Sequence, residues 1–174
     1  MNAGRTVLAV TILLAFASLS PGAGAVSTRS SICAPRAEAA PKIDGVLDDA
    51  CWQTASAVKH FSAPNRNWGP RKPVEAKVCF DDTALYIAVI CGEPDPAKIK
   101  AERKVDGASI WRDDCVELFL TPGGSGEYCQ FVANTLGARE YLHAGKELTT
   151  YGWTVKATVG RKNWIAEFKI PPAA

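Results

Sequence analysis

Val74-Glu75-Ala76-Lys77-Val78-Cys79-Phe80-Asp81-Asp82-Thr83-Ala84-Leu85-Tyr86-Ile87-Ala88-Val89-Ile90-Cys91 is the stretch that decides the fold. Val74, Ala76, Val78 and Phe80 fall on one side of a period of two, with Glu75 and Lys77 on the other. Side chains alternate across a strand, so this pattern predicts a strand with one buried face. Asp81-Asp82-Thr83-Ala84 is turn chemistry, because short polar side chains bond their own backbone. Residues 85–91 are a continuous apolar run, the mark of a strand buried on both faces. Together they read as a β-hairpin.

The same grammar recurs further along. Residues 115–120 and 128–134 form a second expected hairpin, across the loop Thr121-Pro122-Gly123-Gly124-Ser125-Gly126. Residues 153–159 and 164–170 form a third, joined by Gly160-Arg161-Lys162-Asn163. Gly92 to Pro96 breaks the chain, and residues 97–110 read as a short helix plus loop. Helical periodicity is weak elsewhere. Successive antiparallel hairpins with at most one short helix predict an all-β fold, either an antiparallel β-sandwich of the jelly-roll or immunoglobulin-like kind or a barrel. Trp52, Trp153 and Trp164 are expected in its core or at its edges.

Composition limits the function. The chain has 174 residues, 20 Lys+Arg against 18 Asp+Glu, and a net charge of +2. That balance excludes an electrostatically driven nucleic-acid binder, and the basic pairs Arg103-Lys104 and Arg161-Lys162 are isolated. Residues 1–25 read as an export signal: Arg5 in a basic n-region, an apolar run from Val7 to Leu19, and Ala23-Gly24-Ala25 as the cleavage site. The run is too short for a transmembrane helix, which needs about 20 residues. Residues 26–40 read as a flexible leader and 41–174 as the module. The last strand ends close to Pro171-Pro172-Ala173-Ala174, so the module is expected to lack its C-terminal part. Export, to the periplasm, cell surface or medium, makes the six cysteines Cys33, Cys51, Cys79, Cys91, Cys115 and Cys129 disulfide candidates. No C-x-x-C pair points to zinc or to a redox motif.

Catalytic signatures are missing. There is no G-x-S-x-G, H-E-x-x-H, Walker loop or dinucleotide fingerprint. His60 and His143 lack a third partner for a metal cluster, and the one Met is the initiator, which argues against Met/His-ligated haem. Asp113, Asp114 and Glu117 are the densest carboxylates. Adjacent side chains at the start of a strand diverge, so capping, calcium contact or ligand hydrogen bonding suits them better than glycosidase chemistry. No cofactor is required by any motif; a structural calcium held by Asp95, Asp113 and Asp114 is the one metal expectation.

Several segments resemble a known family. Ile43-Asp44-Gly45-Val46-Leu47-Asp48-Asp49-Ala50-Cys51-Trp52 is similar to its opening IDG-x-LD-x-x-W motif. The 80–89 hairpin resembles its D-x-x-x-LY segment. Trp111-Arg112-Asp113-Asp114-Cys115-Val116-Glu117-Leu118-Phe119 resembles its W-x-D-D-x-V-E segment. Residues 128–134 and 164–171 are similar to its later strands. In this order they resemble the family 9 carbohydrate-binding modules, DOMON-like β-sandwiches. The resemblance implies a noncatalytic sugar binder, often joined to polysaccharide-degrading glycoside hydrolases.

It also implies that Trp111 is an aromatic plate for a sugar ring and Glu117 a ligand contact. Relatives that bind in this way carry an Arg where this chain has Val132, and their second Trp plate lies beyond residue 174. Trp68 is a chemical substitute for that plate. A register with Glu117 opposite Val132 would bring Gln130 and Asn134 to the same patch. The sequence thus predicts a mono-, oligo- or polysaccharide ligand at Trp111, Glu117, Gln130, Asn134 and Trp68, with no nucleic-acid partner and no membrane span. The competing expectation is a cell-surface interaction sandwich that has lost sugar binding.

Overall fold

The structure, a computed structural model, describes residues 7–11 (backbone only), 32–61, 72–107, 109–121, 126–149 and 152–172. It forms two five-stranded sheets. The first contains β1 (Val7–Thr11), β5 (Cys115–Leu120), β6 (Cys129–Asn134), β7 (Arg139–His143) and β8 (Lys146–Leu148), side by side in that order. The second runs β2 (Ser56–Val58), β3 (Val74–Phe80), β4 (Leu85–Gly92), β10 (Asn163–Ile170) and β9 (Thr154–Val159). All pairings are antiparallel except β1 beside β5, which is parallel.

The three expected hairpins are present as β3–β4, β5–β6 and β9–β10. Asp81 closes the first. Its Oδ1 accepts the N–H groups of Thr83 (2.7 Å) and Ala84 (2.9 Å), and its Oδ2 accepts the Tyr86 hydroxyl at 2.8 Å. Burial pushes the Asp81 carboxyl up, but these donors and the Thr83 hydroxyl outweigh it and hold it at about 2.

The core lies between the sheets. Val78, Ile87, Val89, Trp164, Ala166 and Phe168 of one sheet meet Val116, Leu118, Phe131, Ala133 and Tyr141 of the other. Trp153 is fully buried at the centre, 5.4 Å from Phe131 edge-on and 5.9 Å from Phe168 in a stacked arrangement. Each such large apolar side chain contributes roughly 1.5–3 kcal/mol. As expected, β4 is buried on both faces. Its other face, Tyr86 and Ala88, lies under Trp52 and Cys51 of a short α-helical turn, α1 (Cys51–Thr54).

The IDG motif builds this second layer. Glu167 of β10 points away from the main core yet is fully buried. Its Oε2 accepts the N–H groups of Asp44 (3.1 Å) and Gly45 (2.8 Å), and its Oε1 accepts Trp52 Nε1 at 3.0 Å. Gly45 has φ +83°, and a Cβ there would lie 2.5 Å from Thr158 Cγ2, so the turn excludes side chains.

Residues 97–110 do not form the expected helix. One 3-10 turn spans Pro96–Lys98, and Ile99 is already extended. The amides that would continue a helix go to two aspartates instead. Lys100 donates to Asp114 Oδ2 at 2.9 Å, and Glu102 and Arg103 donate to Asp113 Oδ2 at 3.0 and 2.8 Å. The segment expected as an export signal is described only at 7–11. There its apolar composition serves as a strand on the free edge of β5. No described helix is long and apolar enough to cross a membrane.

Candidate functional site

The outer face of the β5–β6–β7 sheet carries most of the residues singled out from sequence. Glu117 lies opposite Val132, with Phe119 opposite Gln130 and Cys115 opposite Asn134. Val132 in turn lies opposite Glu140. A row of two carboxylates flanking a valine therefore crosses the three strands. Gln130 Nε2 donates to Glu117 Oε2 at 2.7 Å. Glu117 is 7% exposed, and desolvation lifts its carboxyl above the usual range despite that bond.

A second 3-10 turn, Ile110–Arg112, folds over this face. Glu140 pins it by accepting the Ile110 N–H at 2.9 Å. Ile110 is buried with Cys115, Val132 and Ala138, against Leu142, in a small apolar cluster. Trp111, next in sequence, is 39% exposed. The Arg112 guanidinium sits 5.0 Å from its ring centroid. Desolvation, opposed by the bond to Ile110 and assisted by Glu147 and Glu117, also raises the Glu140 carboxyl.

Asn134 has a different place. It is fully buried, and its amide is taken up by the protein. Nδ2 donates to the Arg103 carbonyl (2.7 Å) and Asp113 Oδ2 (3.0 Å), while Oδ1 accepts Leu136 N–H (3.1 Å) and Ala138 N–H (3.0 Å). Asp113 also takes Arg103 Nη1 on Oδ1 at 2.7 Å. Burial works upward on Asp113, but the Arg103 N–H, the Asn134 amide and the Arg103 guanidinium prevail and lower its carboxyl. This pair anchors the segment leading to Trp111, so Asn134 positions the site from beneath.

The calcium candidates do not share a cradle. Both Asp113 oxygens face N–H donors, Asp114 caps Lys100, and Asp95 pairs with Lys98 at 2.9 Å. Among the described residues no three His, Cys, Asp or Glu side chains gather as a metal site. Trp68 and most of the Gly-rich loop lie outside the described residues. Trp52, Trp153 and Trp164 are buried in the two cores.

Glu140 is the site residue that sequence reasoning missed. Its signal was the alternation Ala138, Glu140, Leu142 after Gly137, a short strand hidden between longer ones.

This two-layered sandwich defines a class, and the comparisons identify it. A family model described as carbohydrate family 9 binding domain-like matches residues 43–174, and the chain belongs to that family. Its fold is similar to a family 9 carbohydrate-binding module of Caldicellulosiruptor kristjanssonii, solved with cellotriose and with glucose. Each of those matches has a TM-score of 0.58 and 16% identity, covering 81% of this chain and 68% of the other. It is also similar to a Bacteroides uniformis structure, a candidate carbohydrate-binding protein, with a TM-score of 0.60 and 15% identity over 80% and 70% of the two chains. No curated protein matches the chain in sequence.

Proposed function

We propose that the chain is a noncatalytic carbohydrate-binding module that takes a sugar ring on the outer face of the β5–β6–β7 sheet. The observation that carries this reading is Trp111, exposed on a turn that Glu140 fixes against β5 and β6, the strands that carry the Glu117–Gln130 pair. Pyranose C–H faces pack on aromatic rings, and hydroxyls bond carboxylates and amides. Glucose and cellotriose, the ligands of the Caldicellulosiruptor module, are the first probes. Calorimetry or a glycan array on the full chain tests the reading; a folded chain that binds no glycan ends it.

In this reading the module works outside the cytoplasm, delivered by a cleaved signal over residues 1–25, within a polysaccharide-degrading system. Cleavage would remove β1 and leave β5 as an open edge. N-terminal sequencing of the secreted protein tests that step.

One observation favours an interaction sandwich without sugar binding. Val132 is fully buried between the two glutamates, so the centre of the row is apolar and sealed by Ile110 and Ala138. Titration with sugars separates the two readings, because only the first predicts saturable binding that depends on Trp111.

A further inference from the structure

Two cysteines stand apart from the other four. Cys51 opens α1 and Cys79 lies on β3, and both are buried in the layer formed by Trp52, Tyr86 and Ala88. Cys51 and Cys79 thus lie in one buried cluster where α1 packs on β3, close enough that each acts on the other's ionisation. The helical turn is held on this strand a second way, because Lys77 Nζ donates to the Trp52 carbonyl at 2.9 Å. The two thiols therefore share one buried contact between α1 and β3, which the Lys77 bond holds in place.

The remaining cysteines have other surroundings. Cys91 and Cys129 are in the core between the sheets, where Cys129 accepts the Tyr141 hydroxyl at 3.3 Å. Cys115 is in the apolar cluster on the outer face, and Cys33 is exposed.

From this juxtaposition we propose that Cys51 and Cys79 are a disulfide site, a covalent staple between the IDG-motif layer and β3. The reaction is thiol–disulfide exchange with a small-molecule or protein disulfide. One cysteine thiolate attacks that disulfide and releases one thiol, and the second thiolate attacks the mixed disulfide and releases the other. Two protein thiols lose two electrons and two protons, and one external disulfide becomes two thiols.

The timing follows from burial. Desolvation pushes the Cys79 thiol to about 12, so the folded protein holds almost no thiolate there. Cross-linking belongs to the folding reaction, before Trp52 and Glu167 close the layer, and the finished staple is shielded from reductant. This separates it from a reversible redox switch, which needs an exposed, acidic thiol.

The test is a peptide map. The purified full chain is reduced and unfolded, then refolded with a mixture of reduced and oxidised glutathione. It is blocked with an alkylating reagent, digested and read by mass spectrometry. The expected result is one dominant cross-linked peptide pair joining Cys51 to Cys79, with Cys91, Cys115 and Cys129 alkylated after denaturation. Refolding under reducing conditions instead, which keeps the thiols uncross-linked, lowers the thermal midpoint of the wild type by roughly 10 °C. It leaves the Cys51→Ser, Cys79→Ser double variant unmoved. Recovery of Cys51 and Cys79 in alkylated form, or linked to other cysteines, overturns the proposal. The map uses the wild-type chain, so it decides the question even if the variant fails to fold.

Discussion

Glu167 and Trp52, 115 positions apart in the chain, are joined by a 3.0 Å hydrogen bond from the indole Nε1 to the buried carboxylate. The same carboxylate takes the amides of Asp44 and Gly45, so one side chain of the last strand gathers the whole IDG motif. Replacing it strands three donors, two of them buried. Glu167→Ala is expected to cost about 3 kcal/mol or more in denaturant unfolding. Glu167→Gln, which turns one acceptor into a donor against those N–H groups, is expected to cost about 1–3 kcal/mol.

Gly45 tests the same layer from its backbone. Its φ is positive, and a methyl group on its Cα would lie 2.5 Å from Thr158 Cγ2, which leaves no room for alanine. Gly45→Ala is expected to destabilise by about 1–3 kcal/mol, read from the unfolding midpoint. Thr158→Ser in the same chain removes the clashing methyl and should restore part of the loss.

Asn134 links stability to the site. Asn134→Ala leaves the Leu136 and Ala138 amides and one Asp113 oxygen short of a partner. A loss of about 2–3 kcal/mol is expected. Hydrogen exchange should rise over residues 100–114, because the backbone there hangs from Asp113 and Asn134.

The pH dependence has a definite sign. Desolvation raises the folded-state pKa of Glu117, Glu140 and Glu167 above the ordinary 4.5. A raised carboxyl favours folding when protonated, so these groups add stability as pH falls from neutral toward 4.5. Asp81 and Asp113 are lowered from 3.8, so their contribution is present above that value and lost as pH falls below it. The thermal midpoint is expected to peak on the acid side of neutrality, and Glu167→Gln should flatten the rise. A midpoint that falls steadily from pH 7 to pH 5 would count against the buried glutamates.

Much of this molecule is legible in its sequence. The 74–91 hairpin shows because strand alternation and an aspartate turn coincide; the period of two gives the faces of β5 and β6, and the assumed register of Glu117 against Val132 is the one the strands adopt. Three things are hidden. β7 and β8 are short and polar, so Glu140 went unseen at the edge of the row. The 97–110 segment carries helix-forming residues, but its amides are claimed by Asp113 and Asp114, a tertiary effect no local pattern encodes. Asn134 reads as a surface hydrogen-bonder, and only the fold shows that Arg103 and Asp113 already occupy it.

The central claim rests on Trp111, and it is most directly tested by titrating the wild type and Trp111→Ala with glucose, cellotriose and a broad glycan panel. The residue is partly exposed and outside both cores, so the variant should fold with its midpoint lowered by no more than a few degrees. The account predicts saturable binding by the wild type and an increase in Kd of at least about tenfold for the variant. A folded wild type that ignores every glycan, or a variant that binds as the wild type does, would contradict it.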